Sequence, residues 1–138
     1  MTIAQGSIIA GGVLSLLMAV FHTRFYSLFG WTKEFEAITK FSGKVIFTVH
    51  VALILLFLVF SIVSFANFAE LARCNGVSLS ITLLYSLFWL WRSIWQVTYL
   101  RPPKKVAKKS SLIRHYVLLF VFILLCVLYA MPFMIKTF

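Results

Sequence analysis

Long stretches of apolar side chains, separated by short polar interruptions, run through the chain at about 3–22, 45–66, 77–100 and 113–135. Each reaches or passes the roughly 20 residues that a helix needs to cross hydrocarbon. Charges collect between the runs and almost none fall within them, so the pattern predicts four transmembrane helices. The first run has no basic stretch before it and no small-x-small pattern after it, so it is read as a retained span and not as a cleaved signal peptide. The third ends at Pro102 and Pro103, which cannot continue a helix.

Inside the runs the polar residues are phased. Ser78, Thr82, Tyr85, Trp89, Arg92 and Gln96 follow one another at spacings of four and three, which puts them on one helical face. His115, Leu119, Phe122, Cys126, Tyr129 and Phe133 share a face in the fourth run, and His50, Ile54, Phe57, Ser61 and Ser64 in the second. In the first, Gly11, Ser15, Met18 and His22 line up, small enough in part to let a neighbouring helix come close. Four helices that each carry a semi-polar seam predict an all-α, four-helix antiparallel bundle, one transmembrane domain over 1–138 with basic loops at 23–44 and 101–112.

Composition narrows the class. At 62% hydrophobic and 12% charged residues, the 138-residue chain lies outside the range of water-soluble globular domains. Cys74 and Cys126 show neither C-x-x-C nor metal spacing, which argues against a disulfide framework.

The distribution of charge gives an orientation. Arg24, Lys33, Lys40 and Lys44 lie between the first two runs, and Arg101, Lys104, Lys105, Lys108, Lys109 and Arg114 between the last two. Only Arg73 and Lys136 fall on the other side. Basic loops stay cytoplasmic, so the expected place is an inner or cytoplasmic membrane with both termini on the non-cytoplasmic side. The same flanking positions account for the net charge of +10 through topology and anionic headgroups, and no nucleic-acid partner is expected. Between the first two spans, Phe25, Tyr26, Phe29, Trp31 and Phe35 alternate with Arg24, Lys33, Glu34 and Glu36, the pattern of an amphipathic segment lying in the headgroup layer.

This orientation places His22, His50, Arg92, Gln96 and His115 in one leaflet. An arginine near mid-span costs about 2.5–3.5 kcal/mol on insertion scales, so it faces the bundle or reaches for an interface. Together with Trp89 and Tyr85 these residues form the expected binding pocket. The histidines also fit a plain role at helix ends, and Arg92 a pairing with Gln96, a carbonyl, Glu34 or Glu36.

Four chemistries remain open. A b-type haem would use His22 and His50, with Arg92 on a propionate. A metal would use His22, His50 and His115, against the cost of the nearby guanidinium. An anionic or quinone-like lipophilic molecule would use Arg92, Gln96, Trp89 and the histidines. The leading class is a small, non-catalytic binding or accessory subunit of the bilayer, packed against a larger membrane complex or its own copies, because no nucleophile has a base beside it and Glu34, Glu36 and Glu70 stand in no catalytic motif. A reduced-minus-oxidised absorption spectrum of detergent-purified protein, with metal analysis on the same sample, separates these classes: a Soret band selects haem, and stoichiometric zinc, copper or iron without one selects the metal.

Overall fold

The computed structural model describes residues 1–25, 28, 38–100 and 109–137. They form five helices: α1 (Ile3–Thr23), α2 (Lys40–Ala66), α3 (Phe68–Arg73), α4 (Gly76–Thr98) and α5 (Lys109–Thr137). The four long ones have the length and apolar composition of membrane spans, and they pack as an antiparallel bundle. Among the described residues there is no strand.

Local sequence sets the helix boundaries. Thr2 and Gln5 form a reciprocal capping box at the start of α1, the Thr2 hydroxyl accepting from Gln5 N at 3.2 Å and Gln5 Oε1 from Thr2 N at 2.9 Å. Thr39 caps α2 by accepting from Ser42 N at 3.2 Å. With that cap the helix begins at Lys40, ahead of the apolar run expected from about 45, so Lys40 and Lys44 belong to its first turns and not to a loop. Asn75 and Ser78 box the start of α4. The α3 helix was not apparent in the sequence, which suggested a plain short loop. It ends at Cys74, whose left-handed backbone (φ 51°) turns the chain into α4. The central part of the segment expected in the headgroup layer (29–37) and the linker 101–108 lie outside the described residues.

The helices form a ring. α1 lies against α2 and α5, α4 lies against α5, and α3 closes the terminus-bearing end against α1 and α4. At the centre, the Tyr129 hydroxyl bonds Ser15 of α1 at 3.1 Å and Ser64 of α2 at 2.9 Å. Ser64 donates in turn to the Phe60 carbonyl at 2.6 Å. Gly11 makes room for that tyrosine: a Cβ there would sit 2.9 Å from its ring. At Gly12 a Cβ would meet that of Ser64 at 3.0 Å. The small face of α1 therefore lets three helices close around one hydroxyl.

The phased seams face inward. Gly11, Ser15, Met18 and His22, with His50, Phe57, Ser61 and Ser64, are buried, as are Thr82, Tyr85, Trp89 and Gln96. Arg92 and Ser78 are half-buried. In α5 the inward face runs through His115, Phe122, Leu125, Tyr129 and Pro132, whereas Cys126 is half-buried and Phe133, expected on the seam, is exposed. Spacings of three and four alternate along one face in either order, and here the three falls between Phe122 and Leu125 and again between Tyr129 and Pro132. Leucines, valines and phenylalanines cover the outside of every long helix, a surface suited to lipid and not to water.

Replacing Tyr129 by Phe should remove both hydroxyl bonds and lower stability by about 0.5–2 kcal/mol. Gly11→Val should cost about 1–3 kcal/mol by overpacking. Both are measurable as shifts of the unfolding midpoint in mixed micelles.

Candidate functional site

The end of the bundle that carries the two basic loops gathers one polar residue or more from every long helix. His22 lies in the last turn of α1, and its Nδ1 donates to the Met18 carbonyl at 2.9 Å. His50, on α2, donates from Nε2 to the His22 carbonyl at 2.7 Å. A carbonyl only accepts, so each of these nitrogens carries a proton, and a neutral His22 presents Nε2 as an acceptor. The two rings stack with centroids 5.7 Å apart, and Phe25 covers His22 at 5.4 Å.

On the opposite side, Gln96 of α4 donates from Nε2 to His115 Nδ1 of α5 at 3.1 Å. All four of these residues are buried. The structure thus sorts the three imidazoles into a pair and a singleton. Among the described residues, no group of three His, Cys, Asp or Glu side chains converges as a metal would require. The His22–His50 rings rest against each other, so a porphyrin between them would require the pair to separate.

A column of rings joins the two sides. Phe57 meets His22 edge-on at 4.8 Å and stacks on Trp89 at 5.2 Å, and Trp89 stacks on Phe122 at 5.6 Å. The Arg92 guanidinium lies 4.9 Å from the centre of the Phe122 ring, a cation–π contact. Tyr85 belongs to the next layer, stacked on Phe60 at 3.8 Å and edge-on to Tyr129 at 5.1 Å. Of the residues expected in the pocket, Trp89, Arg92, His22 and His50 are therefore linked through rings, Gln96 and His115 pair with each other, and Tyr85 sits closer to the bundle centre. Phe57 and Phe122, which clasp Trp89, were not expected as site residues. Their place on the same helical faces as His50 and His115 was the available signal.

Two side chains in this region, one buried and one half-buried, carry donors without an acceptor among the described residues. Trp89 is fully buried, yet its Nε1–H finds no partner among the described residues. One turn away, Arg92 has its ring contact but, among the described residues, neither an ion pair nor a hydrogen-bond acceptor. A buried donor left unpaired costs about 1–3 kcal/mol, and natural structures rarely leave one without a reason. The arrangement offers positive charge and hydrogen-bond donors inside aromatic walls, which suits binding of an acceptor.

The hydrogen bonds also show where the ring is weakest. Ser15–Tyr129 joins α1 to α5, Ser64–Tyr129 joins α2 to α5, and His50 joins α2 to the end of α1. Gln96–His115 and a 3.0 Å bond from Ser86 to the Cys126 carbonyl join α4 to α5. Among the described residues no hydrogen bond joins α2 to α4. That seam is filled instead by Phe57, Phe60, Tyr85, Phe88 and Trp89.

No family model, curated protein or solved structure matches the chain.

Because His50 and Gln96 belong to separate bonded pairs, His50→Leu and Gln96→Leu should each lower stability by about 0.5–2 kcal/mol. Their double variant should add to within about 0.5 kcal/mol in micelle unfolding. A single ligand or ion bridging the three histidines would instead make the two losses strongly non-additive.

Proposed function

We propose that this chain is a small, non-catalytic membrane binding subunit that holds a lipophilic molecule with an anionic or quinone-like head against Arg92 and Trp89. The observation that carries the reading is the buried Trp89 indole N–H, which has no acceptor among the described residues, beside the half-buried Arg92 guanidinium held over the Phe122 ring one turn further along α4. A carboxylate, phosphate or quinone oxygen supplies the missing acceptor, and a charge-assisted bond to it is roughly twice as strong as a neutral one. The rings of Phe57 and Phe122 give an apolar clasp, while His22 and the Gln96–His115 pair border it. The α2–α4 seam, closed by rings and not by hydrogen bonds, is the side from which such a molecule enters from lipid.

The reading includes a position in the cell. Arg24, Lys40, Lys44, Lys109 and Arg114 cluster at the Arg92 end of the bundle, and Arg73 and Lys136 mark the other. By the positive-inside rule the Arg92 end faces the cytoplasm of an inner membrane and both termini face away from it. A broad apolar exterior suits association with a larger membrane complex or with further copies of the chain.

The test is retention of defined probes, oleate and a short-tailed benzoquinone, by detergent-purified protein. Arg92→Gln should weaken oleate binding by about 10- to 100-fold, as loss of a charge-assisted bond does, and Arg92→Lys by less. Trp89→Phe removes an N–H that has no acceptor among the described residues; it should cost some stability through the smaller ring while the bundle stays folded, and should weaken either probe severalfold. Equal retention in Arg92→Gln, Trp89→Phe and the parent protein would sink the proposal.

A further inference from the structure

At the opposite end of the molecule from Arg92, a cavity of about 600 Å³ opens where α2, α3 and α4 meet. Its volume is in the range of small-molecule sites, roughly 300–1,000 Å³. It lies at the terminus-bearing mouth of the α2–α4 seam, which no hydrogen bond closes among the described residues. Its walls are of two kinds. Val63 of α2 with Val77 and Ile81 of α4 form an apolar side continuous with the spans, and Asn67, Glu70 and Arg73 form a polar rim supplied by α3 and its cap.

The rim carries both signs of charge. Glu70 and Arg73 pair at 2.9 Å, three residues apart on α3, and both side chains are about two-thirds exposed, at 63% and 67%. An exposed pair of this kind contributes little, so either partner readily turns to a better one. The chain has just three acidic residues against thirteen Lys and Arg, and one of the three stands here beside an arginine. The other end is strongly basic and suits anions. This rim sets one carboxylate beside two cations, Arg73 and Lys136, whose Nζ donates to Asn75 Oδ1 in the lining, and so offers donors for a phosphate together with an acceptor for an ammonium.

We infer that this cavity is a second, separate lipid site, selective for a phospholipid with a zwitterionic phosphoethanolamine head. Arg73 takes the phosphate in a bidentate contact, which its planar fork favours, and Glu70 accepts from the primary ammonium. One acyl chain descends along Val63, Val77 and Ile81 into the α2–α4 seam. A primary ammonium donates hydrogen bonds to a carboxylate, whereas the quaternary ammonium of a choline head cannot and is best held by an aromatic cage. Among the described residues no aromatic side chain lines the cavity, so ethanolamine is preferred over choline. A glycerol head would give the cations a phosphate but offer Glu70 no ammonium.

The experiment titrates the detergent-purified full chain with phosphatidylethanolamine, phosphatidylcholine and phosphatidylglycerol of identical acyl chains, counting bound lipids by native mass spectrometry. One phosphatidylethanolamine should bind about tenfold more tightly than either competitor. Arg73→Gln and Glu70→Gln should each weaken it by about tenfold, the scale of one charge-assisted bond. Both side chains are exposed, so the folded bundle should survive, as circular dichroism and gel filtration would verify. Ile81→Glu should also abolish lipid retention by placing charge on the apolar wall. Arg92→Gln should leave phosphatidylethanolamine binding at its parent level, which keeps this site distinguishable from the one at the other end. Equal binding of the three lipids, or unchanged binding in both rim variants, overturns the inference. So does full displacement by soluble glycerophosphoethanolamine at the lipid's own concentration, because the apolar wall would then contribute nothing.

Discussion

A polar group carried into hydrocarbon has no water to fall back on, and this one condition arranges the whole bundle. Each helix brings a few hydroxyls, imidazoles or amides into the membrane, and nearly all turn toward another helix or back onto their own carbonyls. Ser7, Thr48, Ser64 and Ser93 take the second course, bonding carbonyls three or four residues earlier. Ser15, Tyr129, His50, Gln96 and His115 take the first and tie separate helices together. With lipid outside as apolar as the core, burial of leucine cannot hold the helices together, and these few bonds and the close contacts at Gly11 and Gly12 provide the specificity.

The same condition makes the exceptions informative. Trp89 is enclosed by rings on both faces, which satisfies its apolar body and leaves its one donor unanswered. Phe122 stabilises the Arg92 cation without giving its N–H groups an acceptor. A bundle that satisfies its serines so consistently, yet leaves adjacent turns of α4 with spare donors, has departed from its own rule at one place. Departures of that kind concentrate where binding occurs.

Much of this was visible in the chain before any coordinates. The four spans, the inward faces of α1, α2 and α4, and the nearness of His22, His50, Arg92 and Gln96 to one end all follow from length, phase and direction of travel. The pairing of those residues does not. Helical phase says that His115 faces the interior, but whether it meets His50 or Gln96 depends on which helices are neighbours around the ring, and sequence periodicity carries no information about that order. The Tyr129 hub was hidden for the same reason, since its partners lie on two other helices. The α3 helix escaped because six residues are too few to establish a period, and Phe133 was misplaced because one helical face can be followed with the three and four spacings in either order, and the sequence did not say which.

The order of helices around the ring also determines how the molecule can open. Three seams are locked by hydrogen bonds whose loss would strand polar groups in hydrocarbon, so parting them is costly. The fourth, between α2 and α4, is held by Phe57, Phe60, Tyr85, Phe88 and Trp89, and rings can slide or turn while exchanging one apolar neighbour for another. An acyl chain or isoprenoid tail entering there replaces ring contacts with contacts of the same kind. The spare donors of Trp89 and Arg92 lie toward one end of that seam, and the Glu70–Arg73 rim stands at the other. A bundle whose polar groups oppose opening on three sides therefore parts most easily along the remaining one.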